Sequence, residues 1–183
     1  MLAFMDHRNR AFSSVEIRFL FRQLVEAVAY CHANNIIHRD IKMENLLLRE
    51  AVSKQDPIEK CHLVLSDFGY ATFQKPEDPD LEDFPGTLAY AAPELICRFP
   101  YRGRSSDIWA MGVCLYLLTE RTMPFLKEKE DIWKTMNRIQ HDTPTLRTCD
   151  SKLRKLILRL LDKNPRRRPP LKRIRHNRWV NQE

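Results

Sequence analysis

The sequence predicts a mainly helical domain with one small pair of β-strands. Apolar residues recur every three to four positions in several segments, which is the spacing of an amphipathic helix. Two short apolar runs bounded by polar residues, 46–48 and 63–65, read instead as strands. A chain of 183 residues is long enough for one domain with a substantial core.

The first predicted helix covers about residues 14–33. Ser13 and Glu16 form a capping box, in which the serine accepts from a backbone N–H and the glutamate reaches back to the serine's N–H. Apolar residues then follow at helical spacing: Ile17, Leu20, Leu24, Val28 and Cys31. They give the helix one strongly apolar face.

The two predicted strands are joined by the polar segment 49–60, which contains Pro57. After the second strand, residues 72–85 are acidic, contain prolines and lack glycine. We therefore predict a long loop over 72–85.

The second half of the chain is predicted to be helical. Residues 107–120 are apolar on nearly every side, which indicates a buried central helix, and Pro124 is predicted to end it. Three further helices are predicted by apolar spacing, around 132–139, 153–161 and 171–179.

Composition excludes several classes of protein. No run of 18 apolar residues occurs, so the sequence predicts no membrane span and no membrane partner. The five cysteines are odd in number and form no C-x-x-C, which favours reduced thiols in a cytoplasmic or nuclear protein. The Cys-His pairs at 31–32 and 61–62 lack the spacing of a zinc site.

Positive charge is concentrated near the end of the chain. Residues 147–178 contain 13 basic and 2 acidic side chains, whereas the remainder contains 18 basic and 22 acidic ones. Such a segment could contact nucleic acid, but no aromatic residues interleave with the arginines at 166–168. A solvated helical surface is the better reading, and nucleic-acid binding is the weaker alternative.

Glycine is scarce. The chain has four glycines, where average usage of ~7% would give about thirteen, and the first 68 residues contain none. Neither G-x-G-x-x-G nor G-x-x-x-x-G-K-[ST] occurs, so these 183 residues contain no glycine-rich phosphate loop.

Three polar features lie between residues 38 and 94. H-R-D-I-K-M-E-N at 38–45 places a base, a cation and an amide on one loop. D-F-G at 67–69 follows the second strand, where a carboxylate can hold a hard cation. G-T-L-A-Y-A-A-P-E at 86–94 closes the acidic loop.

In this order and at these separations, the three motifs resemble the eukaryotic protein kinases over essentially the whole chain. The lysine of the first motif and the G-T pair are typical of serine/threonine kinases. Within that family the chain is most similar to the calcium/calmodulin-dependent kinase group. Residues 65–67, 90–94 and 138–140 are similar to the testis-specific serine kinases.

The resemblance implies transfer of the ATP γ-phosphoryl to Ser or Thr hydroxyls of a protein substrate, with Mg²⁺. Asp40 would accept or orient the hydroxyl proton, and Lys42 would neutralise charge on the phosphoryl group. Asn45 and Asp67 would hold Mg²⁺. Thr87 would hydrogen-bond to Asp40 and Lys42.

The nucleotide side of the site is implied in the same way. Leu47 would lie under the adenine, and Phe68 and Gly69 would complete the D-F-G turn. Glu44 has two readings, as a carboxylate near the ribose or as a contact for a basic residue of the substrate.

Supporting roles are also implied by the resemblance. Glu94 and Arg168 would form a buried ion pair. Asp107 would brace the backbone around His38 and Arg39. Taken singly, each of these polar residues would fit an ordinary structural role, such as a satisfied core histidine; the kinase reading depends on the whole set.

The activation segment, residues 67–94, departs from the family pattern at Asp83, where related kinases often carry a phosphothreonine. Our hypothesis is that Asp83 pairs permanently with Arg39, so that the loop is ordered without phosphorylation. The alternative, that Asp83 is one solvated carboxylate among several, stays open.

The resemblance begins inside the helix that follows the hinge of a kinase. We therefore expect residues 1–183 to form the large helical lobe alone, with the β-rich N-lobe absent and the surface around Leu47 and Phe68 facing water. A partner protein could cover that face. Two classes of function follow: a serine/threonine kinase, or a weakly active or inactive lobe that acts as a protein-binding module.

Overall fold

The structure is a computed structural model that describes residues 11–49, 60–127, 129–147 and 149–182. The α-helices of these ranges are α1 (Ser14–Ala33), α2 (Pro93–Ile96), α3 (Gly103–Glu120), α4 (Ile132–His141), α5 (Ser151–Leu160) and α6 (Leu171–Arg175). The strands are β1 (Ile36–Ile37), β2 (Leu46–Arg49), β3 (His62–Leu65) and β4 (Thr72–Phe73). The prediction of a mainly helical fold with few strands is confirmed. No helix in the described part of the chain combines the length and apolarity needed to cross a membrane.

Helix α1 begins where the sequence predicts, at a complete capping box. The Ser13 N–H donates to Glu16 Oε2 at 2.8 Å, and the Glu16 N–H donates to Ser13 Oγ at 3.2 Å. These bonds satisfy N–H groups that the first helical turn leaves without an internal partner. The five predicted apolar residues of this helix are all buried, and they pack against α3 and the β2–β3 pair.

Helix α3 is the centre of the core, and nearly all its residues are buried. It begins at Gly103 rather than at 107 because a polar first turn, which apolar spacing cannot reveal, precedes the buried stretch. It ends at Glu120, as predicted, but Arg121 rather than Pro124 ends it: Arg121 takes the left-handed conformation with φ 58° and donates its N–H to the Leu117 carbonyl.

Strands β2 and β3 pair antiparallel, as the two apolar runs predict, with Leu46 opposite Leu65 and Arg49 opposite His62. The segment predicted to join them lies mostly outside the described residues. A second pair, β1 with β4, was not predicted, and it makes the loop prediction for 72–85 wrong at its first two residues. Two-residue strands carry no detectable alternation of apolar and polar positions.

The last three helices follow the predicted order. Helix α5 packs on α3 at Gly112, where an added Cβ would lie 2.8 Å from the Cβ of Leu160. Helix α6 ends at Arg175, earlier than predicted. Trp179 is fully buried but lies in the turns after the helix. The apolar pattern therefore continues past the last helical residue, and the predicted helix was too long.

Candidate active site

The loop 38–45 connects β1 to β2 and is held by a carboxylate on the central helix. Asp107 is 1% exposed, and its two oxygens accept the backbone N–H groups of Arg39 at 2.9 Å and His38 at 3.0 Å. The same carboxylate lies 2.8 Å from His32 Nε2 on α1. Arg39 has a φ of 65°, which is uncommon for a residue with a side chain. The two hydrogen bonds to Asp107 hold the loop in this conformation.

His38 joins this loop to the chain after β3. Its Nδ1 accepts the Asp40 N–H at 3.3 Å, and its Nε2 lies 3.1 Å from the Ser66 carbonyl. These partners require the proton on Nε2, because Nδ1 acts as an acceptor. The Phe68 ring packs edge-on against the imidazole at a centroid distance of 4.8 Å. The histidine is completely buried, so it sets the relative position of the 38–45 loop and the D-F-G turn.

Asp40 is the convergence point of the site. It is 4% exposed, and Oδ2 accepts from Lys42 Nζ at 2.7 Å and from Asn45 Nδ2 at 3.1 Å. Its Oδ1 accepts from the Thr87 hydroxyl at 3.2 Å, and Lys42 also donates to Thr87 Oγ1 at 3.1 Å. The hydrogen bond to Asp40 raises the pKa of Lys42, so this amine remains an ammonium at neutral pH.

Asn45 and Asp67 are brought next to each other by the backbone. The Ser66 N–H and hydroxyl both donate to the Asn45 carbonyl at 2.9 Å, which places Asp67 beside this residue. The Asn45 amide nitrogen donates to Asp40, so its side-chain oxygen is the group left for a cation. Asp67 is exposed, with a φ of 63°, and its Oδ1 accepts the Gly69 N–H at 3.2 Å. Amide and carboxylate oxygens are suitable ligands for Mg²⁺, so these residues fit that ion.

The activation segment contacts the 38–45 loop through an ion pair. Arg39 Nη1 donates to both oxygens of Asp83, at 2.7 and 2.6 Å, and Arg39 Nε donates to the Tyr70 carbonyl at 2.6 Å. Gly86 lies at the same contact with a φ of 96°, and a Cβ there would lie 2.7 Å from the Arg39 carbonyl oxygen. Only glycine permits this approach.

Glu94 and Arg168 form a buried, two-pronged ion pair. Arg168 Nη1 and Nη2 donate to the two Glu94 oxygens at 2.6 and 2.7 Å. Arg168 also donates to the carbonyls of Ser105 and Asp162, at 3.0 and 2.9 Å, and its guanidinium lies 5.0 Å from the Trp109 ring centroid. The pair therefore ties the end of the activation segment to the chain after α5.

The remaining predicted residues lie on the open face of the site. Leu47 is 49% exposed and Phe68 is 46% exposed. Glu44 is exposed and accepts the Tyr90 hydroxyl at 3.2 Å. Burial raises the pKa of Tyr90, so its hydroxyl stays a donor to Glu44.

Sequence reasoning missed two residues that organise the site. The Tyr90 hydroxyl contacts Glu44 and accepts the Met43 N–H at 3.3 Å, which ties the activation segment to the 38–45 loop. Arg102, directly before α3, donates to several groups of the acidic loop. Its partners are mostly backbone carbonyls, which leave no signal in a sequence.

The family model for the protein kinase domain matches residues 1–180 of the chain. The chain therefore belongs to the protein kinase family. The fold and the site described above are those of the part of such a kinase that carries the H-R-D and D-F-G motifs.

Individual relatives are serine/threonine kinases and other protein kinases. NUAK family SNF1-like kinase 1 of Homo sapiens is 38% identical over 174 residues, covering 94% of this chain and 24% of that protein. CBL-interacting protein kinase 2 of Oryza sativa is 38% identical over 165 residues, covering 88% and 35%. The mitosis inducer protein kinase cdr1 of Schizosaccharomyces pombe is 36% identical over 156 residues, covering 84% and 24%. The chain thus spans about a quarter to a third of these relatives. They fit the calcium/calmodulin-dependent kinase group loosely.

Proposed function

We propose that this chain carries the catalytic residues of a serine/threonine protein kinase that transfers the γ-phosphoryl of ATP to Ser or Thr hydroxyls of protein substrates. The observation that carries the proposal is the buried Asp40 carboxylate, which is held at once by Lys42, Asn45 and Thr87. A carboxylate fixed by three donors keeps one orientation, which is what a group that receives a proton from an incoming hydroxyl requires.

Each of the three donors has a separate task in the proposed reaction. The substrate hydroxyl oxygen attacks the γ-phosphorus, its proton passes to Asp40, and the bond to the leaving ADP oxygen breaks. Lys42, an ammonium hydrogen-bonded to Asp40 and Thr87, lies where it can neutralise charge on the phosphoryl oxygens. Thr87 belongs to the activation segment, so its bond to Asp40 makes the position of the base depend on that segment.

The amide oxygen of Asn45 and the carboxylate of Asp67 would hold Mg²⁺. When bound, the ion supplies positive charge against the ATP phosphates. The residues of this chain contribute two oxygen ligands and their orientation, through the Asn45 bonds to Asp40 and the Asp67 bond to Gly69.

A second function, that of a protein-binding module, is favoured by the exposed apolar face beside the site. Leu47, Phe68, Tyr70 and Phe73 are each at least 46% exposed. Large exposed apolar side chains near the site are candidates for contact with another protein or domain. In this reading a partner protein covers the nucleotide side of the cleft, and the lobe is weakly active or inactive by itself.

The finer assignments are also proposals. The segments 65–67, 90–94 and 138–140 support a relationship to the testis-specific serine kinases. Cysteine usage supports a cytoplasmic or nuclear location. The basic segment 147–178 supports nucleic-acid binding only weakly, since no aromatic residues interleave with its arginine cluster.

The test measures phosphoryl transfer to a library of Ser- and Thr-containing peptides by the natively expressed protein. We expect Asp40→Asn to lower the rate by about 10²-fold to 10⁴-fold, because the amide cannot take the proton. Asp142→Asn is the matched control, since that carboxylate is half-exposed, directly follows α4 and lies 3.9 Å from Arg138 Nη1. An Asp40→Asn protein that keeps the full rate would contradict the kinase proposal. If the unaltered protein transfers no phosphate, the protein-binding module is the function that remains.

A further inference from the structure

Arg102 lies outside the three sequence motifs and forms several hydrogen bonds with the acidic loop. Its Nη1 donates to the Asp78 carbonyl at 2.7 Å and to Asp80 Oδ1 at 3.3 Å. Its Nη2 donates to the carbonyls of Lys75 and Pro76, at 3.0 and 3.1 Å. One guanidinium thus has four acceptors within six residues of loop, and three of these acceptors are backbone oxygens.

The residues on either side of Arg102 bind the two ends of the same loop. Tyr101 and Leu81 exchange two backbone hydrogen bonds of 2.9 Å each. The Gly103 N–H donates to the side-chain oxygen of Gln74 at 3.0 Å, and the Gln74 amide nitrogen donates to the Pro79 carbonyl at 3.0 Å. Gln74 is 1% exposed, so this contact is shielded from water. Residues 101–103 therefore hold residues 74–81 in place through hydrogen bonds along the length of that segment.

The segment 74–81 directly precedes two residues that contact the 38–45 loop. Two residues after Leu81 comes Asp83, which is paired with Arg39. Four residues further on comes Thr87, which donates to Asp40. A loop held at 74–81 therefore delivers Asp83 and Thr87 to fixed positions.

The central part of the loop offers no site for phosphorylation. Residues 73–86, between Thr72 and Thr87, include no Ser, Thr or Tyr, while five of them are acidic. Five carboxylates in one loop repel one another, and Arg39 and Arg102 offset part of that repulsion. Contacts within the chain, such as those of Arg102, can therefore order residues 73–86 without a phosphate.

We propose that Arg102 is a positioning residue that holds the 74–83 loop so that Asp83 reaches Arg39 and Thr87 reaches Asp40, in place of loop phosphorylation. This inference rests on the proposed kinase function and adds to it the means by which the activation segment is ordered. Arg102 contacts none of the groups assigned to ATP or Mg²⁺. Its loss is therefore expected to act through Thr87 and Asp40 on the rate of transfer, and not on the binding of the nucleotide.

The test compares Arg102→Gln with Arg104→Gln in the natively expressed protein. Arg104 is the matched control, since its guanidinium donates to Asn35 Oδ1 at 2.9 Å and not to the 75–80 carbonyls. For Arg102→Gln we expect amide hydrogen exchange over 75–83 to become about tenfold faster or more. We also expect kcat for a peptide substrate to fall several-fold, with the KM for ATP changed by less than about twofold.

Arg102→Lys distinguishes loss of the Arg102 hydrogen bonds from misfolding of the Arg102→Gln protein. A lysine keeps the charge but reaches fewer of the four acceptors, so intermediate exchange and an intermediate kcat are expected. Unchanged exchange at 75–83 in Arg102→Gln would overturn the inference, and so would equal effects from Arg104→Gln. An unaltered protein without transferase activity would overturn the proposed function, and the exchange data alone would then decide whether Arg102 orders the loop.

Discussion

At the scale of single residues, the site contains three buried carboxylates, each with more than one hydrogen-bond donor. Asp40, Asp107 and Glu94 are each less than 10% exposed, and each accepts from at least two donors. Burying a carboxylate without partners costs several kcal/mol, so each donor is needed for the fold as well as for the chemistry. Removal of a donor would therefore lower both stability and activity, so a substitution that tests one of them has to leave the other unchanged.

The ion pair between Glu94 and Arg168 gives a stability prediction. Arg168→Met leaves Glu94 buried without its partner, and we expect the free energy of unfolding to fall by about 3–5 kcal/mol. Chemical denaturation of both proteins measures the loss. The double variant Glu94→Leu, Arg168→Met removes both charges and is expected to recover a large part of it. A single variant as stable as the unaltered protein would show that the pair is not essential to the fold.

At the scale of elements, the activation segment is attached to the body of the protein at several points. Arg102 and the Leu81–Tyr101 pair hold its acidic part, Asp83 binds Arg39, and Thr87 reaches Asp40. The Asp83 contact lies at the surface, where the carboxylate side chain is 61% exposed and solvent weakens the pair. Its effect is therefore expected on local order and not on global stability.

Asp83→Ala tests the hypothesis that this carboxylate replaces a phosphate. We expect faster hydrogen exchange over residues 81–87 and a lower rate of peptide phosphorylation, because Arg39 loses its bidentate partner. Glu82→Ala, which removes the neighbouring carboxylate, is the control and is expected to change neither. Unaltered exchange and activity in Asp83→Ala would leave Asp83 as one solvated carboxylate among several.

The end of helix α4 is contacted by a lysine that lies beside two stacked aromatic rings. Lys163 Nζ lies 4.1 Å from the Phe125 ring centroid and 5.1 Å from that of Trp109, and it donates to the Ile139 carbonyl at 2.6 Å. Burial lowers the pKa of Lys163 to about 8 from its ordinary 10.5. At neutral pH the side chain is therefore still an ammonium, which suits the carbonyl and both ring faces.

The lowered pKa of Lys163 gives a pH dependence with a definite sign. Between pH 8 and 10.5 the unfolded chain binds the lysine proton and the folded protein does not, so this residue makes the free energy of unfolding rise with pH. Denaturation of the unaltered protein and of Lys163→Met across that range isolates the effect, since both share every other titrating group. The difference in stability is expected to shift in favour of the unaltered protein as pH rises. A difference that is flat or falls with pH would contradict the lowered pKa.

At the scale of the whole molecule, the sequence could predict those parts that leave a local pattern. The capping box and apolar spacing of α1, the apolar runs of β2 and β3, and the H-R-D and D-F-G motifs all do so. The β1–β4 pair and the Arg102 contacts depend on backbone groups brought together by the tertiary fold. Side-chain identity alone does not reveal such partners.

The exposed apolar face beside the site is compatible with both proposed functions. Leu47 and Phe68, predicted to face water, are about half-exposed and lie beside Asn45 and Asp67 in sequence. In the kinase reading this face meets ATP, and in the module reading it meets a partner protein. The same surface therefore serves both candidates, and only the chemistry at Asp40 separates them.

The most direct measurement follows labelled γ-phosphate from ATP through the natively expressed protein with Mg²⁺ and Ser- and Thr-containing peptides. We expect phosphoserine or phosphothreonine in the peptide, one ADP for each phosphate transferred, and loss of both products in Asp40→Asn. Transfer that persists in Asp40→Asn, or an unaltered protein that forms no phosphopeptide, would contradict the kinase proposal.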